Sequence, residues 1–217
     1  LSLLNAVHPG GFKHAEQSVR VVEVLEKDGQ GLNLTWEVRD GILNHRTAGN
    51  PSTLEGQVVR LCDKISYIHH DMDDAIRAGI LSEDDIPITL RVVLGDTCRE
   101  RLNTLIHDIV ESSYGQDCIR QSPNMAEAMK LLRELMFANV YRSPVAKKEE
   151  VKVKRMLTEL YEYYTEHPEQ LSGEYRRLIE QGEEKGQVVC DYISGMTDQY
   201  SIHKFEEIFV PKSWAVY

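Results

Sequence analysis

Apolar residues recur along this chain at intervals of three and four, and no segment keeps up the apolar-polar alternation, framed by turn residues, that marks a hairpin. The pattern predicts an all-α protein. Val19, Val22 and Leu25 form a stripe that places a first helix over His14 to Lys27, ended ahead of Gly29. A shorter helix is expected near Leu34 to Leu43, followed by a loop from His45 to Pro51 that carries Gly, Asn and Pro. Ser52 with Glu55 three residues on reads as a capping box that opens a long helix reaching about Ile80. Further helices are expected over Ile86 to Glu111, Met125 to Tyr141, Val151 to Glu166, Leu171 to Glu180 and Val188 to Gln199, with a short tail around Phe205. The polar stretch Ser112 to Asn124 is a loop. With no repeat and no low-complexity linker, residues 1–217 are expected to form a single all-helical unit.

The helix from Ser52 carries the most information. At roughly 100° per residue, Asp63, Lys64, Tyr67, His70, Asp71 and Asp74 share about one third of its circumference. Leu61, Ile65, Ile68, Met72 and Ile76 take the opposite side, an apolar stripe able to anchor the helix in a core. The polar side has few long flexible chains; short carboxylates, imidazole and phenol gather round one lysine, which is ligand and acid-base material. An exposed acidic face that only confers solubility has the same periodicity, so the pattern alone does not decide between the two.

Composition narrows the function. The formal net charge of −10 argues against a protein that coats a nucleic-acid backbone, which takes a basic surface. A small polyanion can still be held by a few Lys or Arg and a metal. The apolar run Ile86 to Leu94 is broken by Pro87, Thr89 and Arg91 and is too short for a bilayer. Cys62, Cys98, Cys118 and Cys190 are widely spread, as expected of reduced thiols in the cytoplasm. The start Leu1-Ser2-Leu3-Leu4 has neither an initiator Met nor the features of a signal peptide, so an upstream segment is expected.

Four stretches together resemble the deoxyguanosine triphosphate triphosphohydrolase-like branch of the HD superfamily. They are Gly10 to Arg20 (GGFKHAEQSVR), Gly31 to Leu43 (GLNLTWEVRDGIL), Asp63 to Tyr67 with His70 to Ala75 (DKISY and HDMDDA), and Asp191 to Tyr200 (DYISGMTDQY). The resemblance implies an HD-domain helical bundle, with residues 1–90 the remainder of the HD core and 91–217 the C-terminal helical portion. It implies hydrolysis of a dNTP to deoxynucleoside and tripolyphosphate at a divalent metal held by an upstream His, a His-Asp doublet and a final Asp. Asp63 matches that final Asp, and Mn²⁺, Mg²⁺, Fe²⁺ and Zn²⁺ all suit a mixed N/O site. Lys64 would meet phosphate, while Tyr67 and Asp71 would line the sugar. His14 matches an active-site histidine that contacts phosphate or assists proton transfer, although a histidine at a helix start is also commonly a cap or a surface group. A homo-oligomer is implied as well.

The first His, the His-Asp doublet and the His-rich loop of the family do not occur in residues 1–217 and are expected ahead of residue 1. His70-Asp71 comes one helix too late to be the doublet, and His107-Asp108 is explained by the apolar partners of its helix, so a site built from His45, His70, Asp71 and Asp108 is rejected. One carboxylate does not hold a catalytic metal, and these residues alone are expected to be inactive. Arg99 and Arg101 read as solvated, Lys147 to Lys154 as a surface helix, Tyr161, Tyr163 and Tyr164 as packing and interface residues, and Trp36 and Trp214 as core or subunit-contact residues. Two other functions stay open: a different HD nucleotide phosphohydrolase, and a non-catalytic nucleotide-binding or assembly subunit.

Overall fold

Ile65, Ile68 and Met72 stand one above another on a single helix, and their burial sets the arrangement of the helices around them. The computed structural model describes residues 3–142 and 144–213, the side chains of 144–147 excepted. In chain order its helices are α1 (Leu4–Val7), α2 (His14–Arg20), α3 (Glu26–Gly29), α4 (Trp36–Asn44), α5 (Leu54–Arg77), α6 (Ile88–Leu94), α7 (Cys98–Ser113), α8 (Pro123–Met136), α9 (Pro144–Glu166), α10 (Gly173–Glu180), α11 (Lys185–Ser194) and α12 (Asp198–Phe209). Among the described residues there is no strand, so the all-α expectation holds. No helix there is long and apolar enough to cross a membrane. The chain divides into two compact units, one of residues up to Asn33 and from Glu149 on, the other of Leu34–Lys148.

In the Leu34–Lys148 unit, α5 lays Ile65, Ile68, Met72 and Ala75 against Leu90 and Leu94 of α6, Leu105 and Ile109 of α7, and Met129, Leu132 and Met136 of α8. α5 is capped by Thr53, not by Ser52: the Thr53 hydroxyl accepts from the amide of Gly56 at 3.1 Å. The reason is tertiary. Asp40 of α4 takes the Ser52 amide at 2.7 Å, the contact that Glu55 would make in the expected box. The expected helix from Ile86 to Glu111 is two helices. Gly95 takes φ +118, and a Cβ there would lie 2.6 Å from that of Glu100. Thr97 and Glu100 then form a reciprocal capping box that starts α7.

Arg101 corrects a second expectation. It is 1% exposed, its two terminal nitrogens bond to Glu83 at 2.9 and 3.0 Å, and one also donates to the Asp96 carbonyl at 3.2 Å. Arg99 is exposed, as expected. Trp36 is 56% exposed and so is not a core residue of this unit. Trp214 lies outside the described residues.

In the other unit the core gathers Phe12, Leu160, Tyr161, Tyr164, Leu171, Leu178, Val188, Val189 and Ile193. Tyr161 and Tyr164 are buried packing residues, as expected. α2 ends at Arg20 and runs into a π turn, Val21–Leu25, beyond which Lys27 and Asp28 have positive φ. What reads as a short tail around Phe205 is the twelve-residue α12, capped by Thr197. α9 begins earlier than Val151, at Pro144, and residues 148 to 154 are exposed, in keeping with a surface helix.

Beside Arg101 lies a buried histidine. His69 Nδ1 donates to the Ile65 carbonyl at 2.7 Å, which leaves Nε2 as the proton-free nitrogen, buried with no hydrogen-bond partner. Burial, assisted by the nearby Arg101 charge, outweighs that hydrogen bond and the pull of Asp73 and Glu83, and holds His69 below its ordinary value of 6.5. The unfolded chain therefore takes up this proton first, and the stability His69 permits above about pH 6.5 declines as pH falls below it. In His69→Gln, urea unfolding followed from neutral pH downward should show a flatter pH dependence than the wild type; an unchanged slope would remove His69 as its source.

Candidate functional site

Because the apolar stripe of α5 is buried, its opposite side faces outward and is not a core element. Asp63, His70 and Asp74 are exposed there and Tyr67 is 60% exposed, while Lys64 and Asp71 are half-buried. The second wall is α8 with the π turn Phe137–Tyr141 that extends it. Arg133, Phe137 and Tyr141 run down one side of it, with the Arg133 guanidinium 5.3 Å from the Phe137 ring centre and the Phe137 and Tyr141 rings 5.0 Å apart, edge to face.

These two walls give the seam two chemically distinct ends. At one end Lys64 is held below its ordinary value, first by burial and then by the charges of Arg133 and Arg60. Arg60 is itself fixed by hydrogen bonds to the carbonyls of Arg46 and Thr47 at 3.2 and 2.7 Å. At the other end the Tyr141 hydroxyl donates to Oδ2 of Asp71. Burial, then hydrogen bonding with Asp71 and Tyr67, drives the Tyr141 phenol far above its usual range, so it keeps its proton. Seven residues separate Lys64 from Asp71, and a helical rise of ~1.5 Å per residue puts the two ends ~10 Å apart. Lys64, Tyr67 and Asp71 are thus brought together with two residues that sequence reasoning left unassigned, Arg133 and Tyr141. Their signal was present as an Arg and two aromatics four apart, but the π turn that aims Tyr141 has no sequence signature.

His14 stands in the other unit, at the first position of α2, and is exposed. It lines a cavity of about 460 Å³ with Phe12, Gln17, Ser18, Tyr175 and Asp191. Asp191, on α11, is 1% exposed and saturated with donors: Gln17 Nε2 at 2.8 Å, Arg20 Nε at 3.0 and 2.8 Å to its two oxygens, and Gln187 Nε2 at 2.9 Å. Arg20 also reaches Glu183 at 2.9 Å. Burial works against the Arg20 charge, but Asp191 and Glu183 outweigh it and raise the guanidinium above its usual range.

Among the described residues no group of three or more His, Cys, Asp or Glu gathers in a metal-holding arrangement, and Asp63 stands as a single exposed carboxylate. The residues present do not by themselves fit a catalytic metal, which takes about three protein ligands. Of the residues of the alternative cluster, Asp71 is engaged by Tyr141, Asp108 accepts from the Ser122 amide at 2.9 Å, and His45 bonds to the Ile42 carbonyl at 2.6 Å.

Residues 119–207 match the model of a phosphohydrolase-associated domain. The chain is 49% identical to a deoxyguanosinetriphosphate triphosphohydrolase-like protein of Caldanaerobacter subterraneus subsp. tengcongensis, over 98% of this chain and 62% of that one. It is 44% identical to one of Clostridium perfringens strain 13, over 97% and 64%, and 31% identical to one of Geobacter sulfurreducens, over 93% and 66%. The chain thus spans somewhat less than two thirds of the length of the curated relatives it matches.

The charge arrangement at the seam is directly measurable. In Arg133→Ala, one of the two cations that depress Lys64 is gone, and the Lys64 amine should titrate closer to its ordinary 10.5 when followed by nitrogen NMR. A titration identical to the wild type would mean that Arg133 does not act on Lys64.

Proposed function

Since the chain belongs to the deoxyguanosinetriphosphate triphosphohydrolase-like family, we propose that the α5–α8 seam holds a deoxynucleoside triphosphate in an HD-type hydrolase that releases deoxynucleoside and tripolyphosphate. The reading rests on one observation, the division of that seam into a cationic end at Lys64 and Arg133 and a braced carboxylate at Asp71. A polyphosphate suits the first end, where the half-buried Lys64 attracts an anion more strongly than it would in water and the exposed Arg133 adds a second positive charge. A deoxyribose suits the second. Asp71 accepts from the 3′-hydroxyl while Tyr141 holds its other oxygen, and Tyr67 and Tyr141 occupy the side toward which a 2′-hydroxyl would project. A ribose would bring a further hydroxyl into space that the two phenol rings already fill, and so would be crowded out.

In the reaction, the oxygen of a water bonds to the α-phosphorus, the bond from phosphorus to the 5′-oxygen breaks, and that oxygen leaves with a proton. His14 is proposed to carry the proton or to contact phosphate, a role that rests on the Gly10 to Arg20 motif. Asp63 is proposed as one ligand of a divalent metal in the whole protein. A single carboxylate does not hold such an ion, and no step here runs through it. We further place the protein in the cytoplasm, on its four free thiols, and expect a homo-oligomer.

The whole protein, given each dNTP in turn with Mn²⁺ or Mg²⁺, should produce tripolyphosphate and an equal amount of deoxynucleoside. Pyrophosphate or orthophosphate as the product would point instead to another class of HD phosphohydrolase, and binding without turnover to an assembly subunit. Asp63→Ala should lose turnover with its helical circular dichroism intact. Asp71→Asn should raise KM about tenfold, the loss of one charged hydrogen bond to the sugar, ~1.4 kcal/mol.

A further inference from the structure

The stretch Asp191 to Tyr200 is part of the family resemblance, yet nothing in the proposed reaction uses Asp191. Its side chain is shut away from solvent, and four hydrogen bonds from three other side chains converge on its two oxygens. Two of those partners, Gln17 and Arg20, come from α2. At 100° per residue His14, Gln17 and Arg20 occupy about one third of the helix surface, so the face that Asp191 grips is the face His14 begins. His14, Gln17 and Asp191 border the same cavity. Beyond Arg20 the helix loses α geometry in the π turn Val21–Leu25. A seven-residue helix followed by such a turn has little rigidity of its own.

We propose that Asp191 is a positioning residue, which fixes the rotation of α2 through Gln17 and Arg20 and so sets where the His14 imidazole points. The inference rests on the role proposed above for His14. With His14 taken as the proton carrier of the two roles proposed for it, loss of the Asp191 charge lowers turnover, while substrate affinity, assigned to Lys64, Tyr67 and Asp71, does not fall. Arg20 keeps a second anchor at Glu183, and α2 therefore stays docked while it loses its fixed rotation.

A double-mutant cycle in the whole protein tests this, with kcat and KM measured for wild type, His14→Gln, Asp191→Asn and the double variant, on whichever product the wild type releases. Asp191→Asn should lower kcat about tenfold or more with KM changed less than about twofold, and the double variant should be no slower than the slower single variant. Losses that multiply would overturn the proposal, because Asp191 would then act independently of His14. So would an unchanged kcat in either single variant. If Asp191→Asn does not fold, Gln17→Met, which keeps the Arg20–Asp191 pair, gives the same cycle: its loss should also vanish in the His14→Gln background, and a multiplied loss counts against the proposal. A wild-type product other than tripolyphosphate sinks the triphosphohydrolase reading while the cycle still decides the part played by Asp191.

Discussion

Burial of Ile65, Ile68 and Met72 removes one freedom from α5, rotation about its own axis. Each of these side chains would expose apolar surface worth roughly 1.5–3 kcal/mol if the helix turned. With rotation fixed, the opposite face has one possible content, and Lys64, Tyr67 and Asp71 are delivered together to the seam with α8. The make-up of the seam is therefore set by the core behind it. The polar residues need no loop to gather them, and a helix sets their spacing more narrowly than a loop does.

The same dependence separates what could be read in the sequence from what could not. The two faces of α5 were legible because periodicity is a local property, and the all-α class followed from the same property. The Thr53 cap was not legible, because Ser52 is an equally good cap until Asp40, twelve residues away, takes its amide. Arg101 looked like a solvated side chain because its partner Glu83 is eighteen residues back. The Gly95 break was within reach, since Gly followed by Thr97 and Glu100 is a stop and a capping box. In the candidate site, Lys64, Tyr67 and Asp71 came from family resemblance as much as from pattern, and Tyr141 required three dimensions.

Among the described residues each unit has an ion pair with one fully buried partner, Arg101 with the more exposed Glu83 in one and Asp191 with the partly exposed Arg20 in the other. Desolvating such pairs is expensive, and replacement by apolar residues is often neutral or better for stability. Their benefit lies in directionality: a guanidinium fork donates to a carboxylate at one angle, whereas an apolar contact tolerates sliding. Arg101 ties the start of α7 to the turn Glu83–Asp85, and Arg20 ties α2 to α11, so both pairs sit where a short element would otherwise have a poorly defined pose.

The π turn at Phe137–Tyr141 makes chain length, as much as residue identity, a constraint on the seam. A π turn holds one more residue than an α turn. Excising one residue from Phe137 to Val140 would leave an ordinary α turn, with the chain on either side of it in the same register. Met129, Leu132 and Met136, which precede the turn, would keep their places in the core, and only the side chains inside the segment would be re-aimed. The wall of the seam can thus change by one residue in length while the core beside it stays packed.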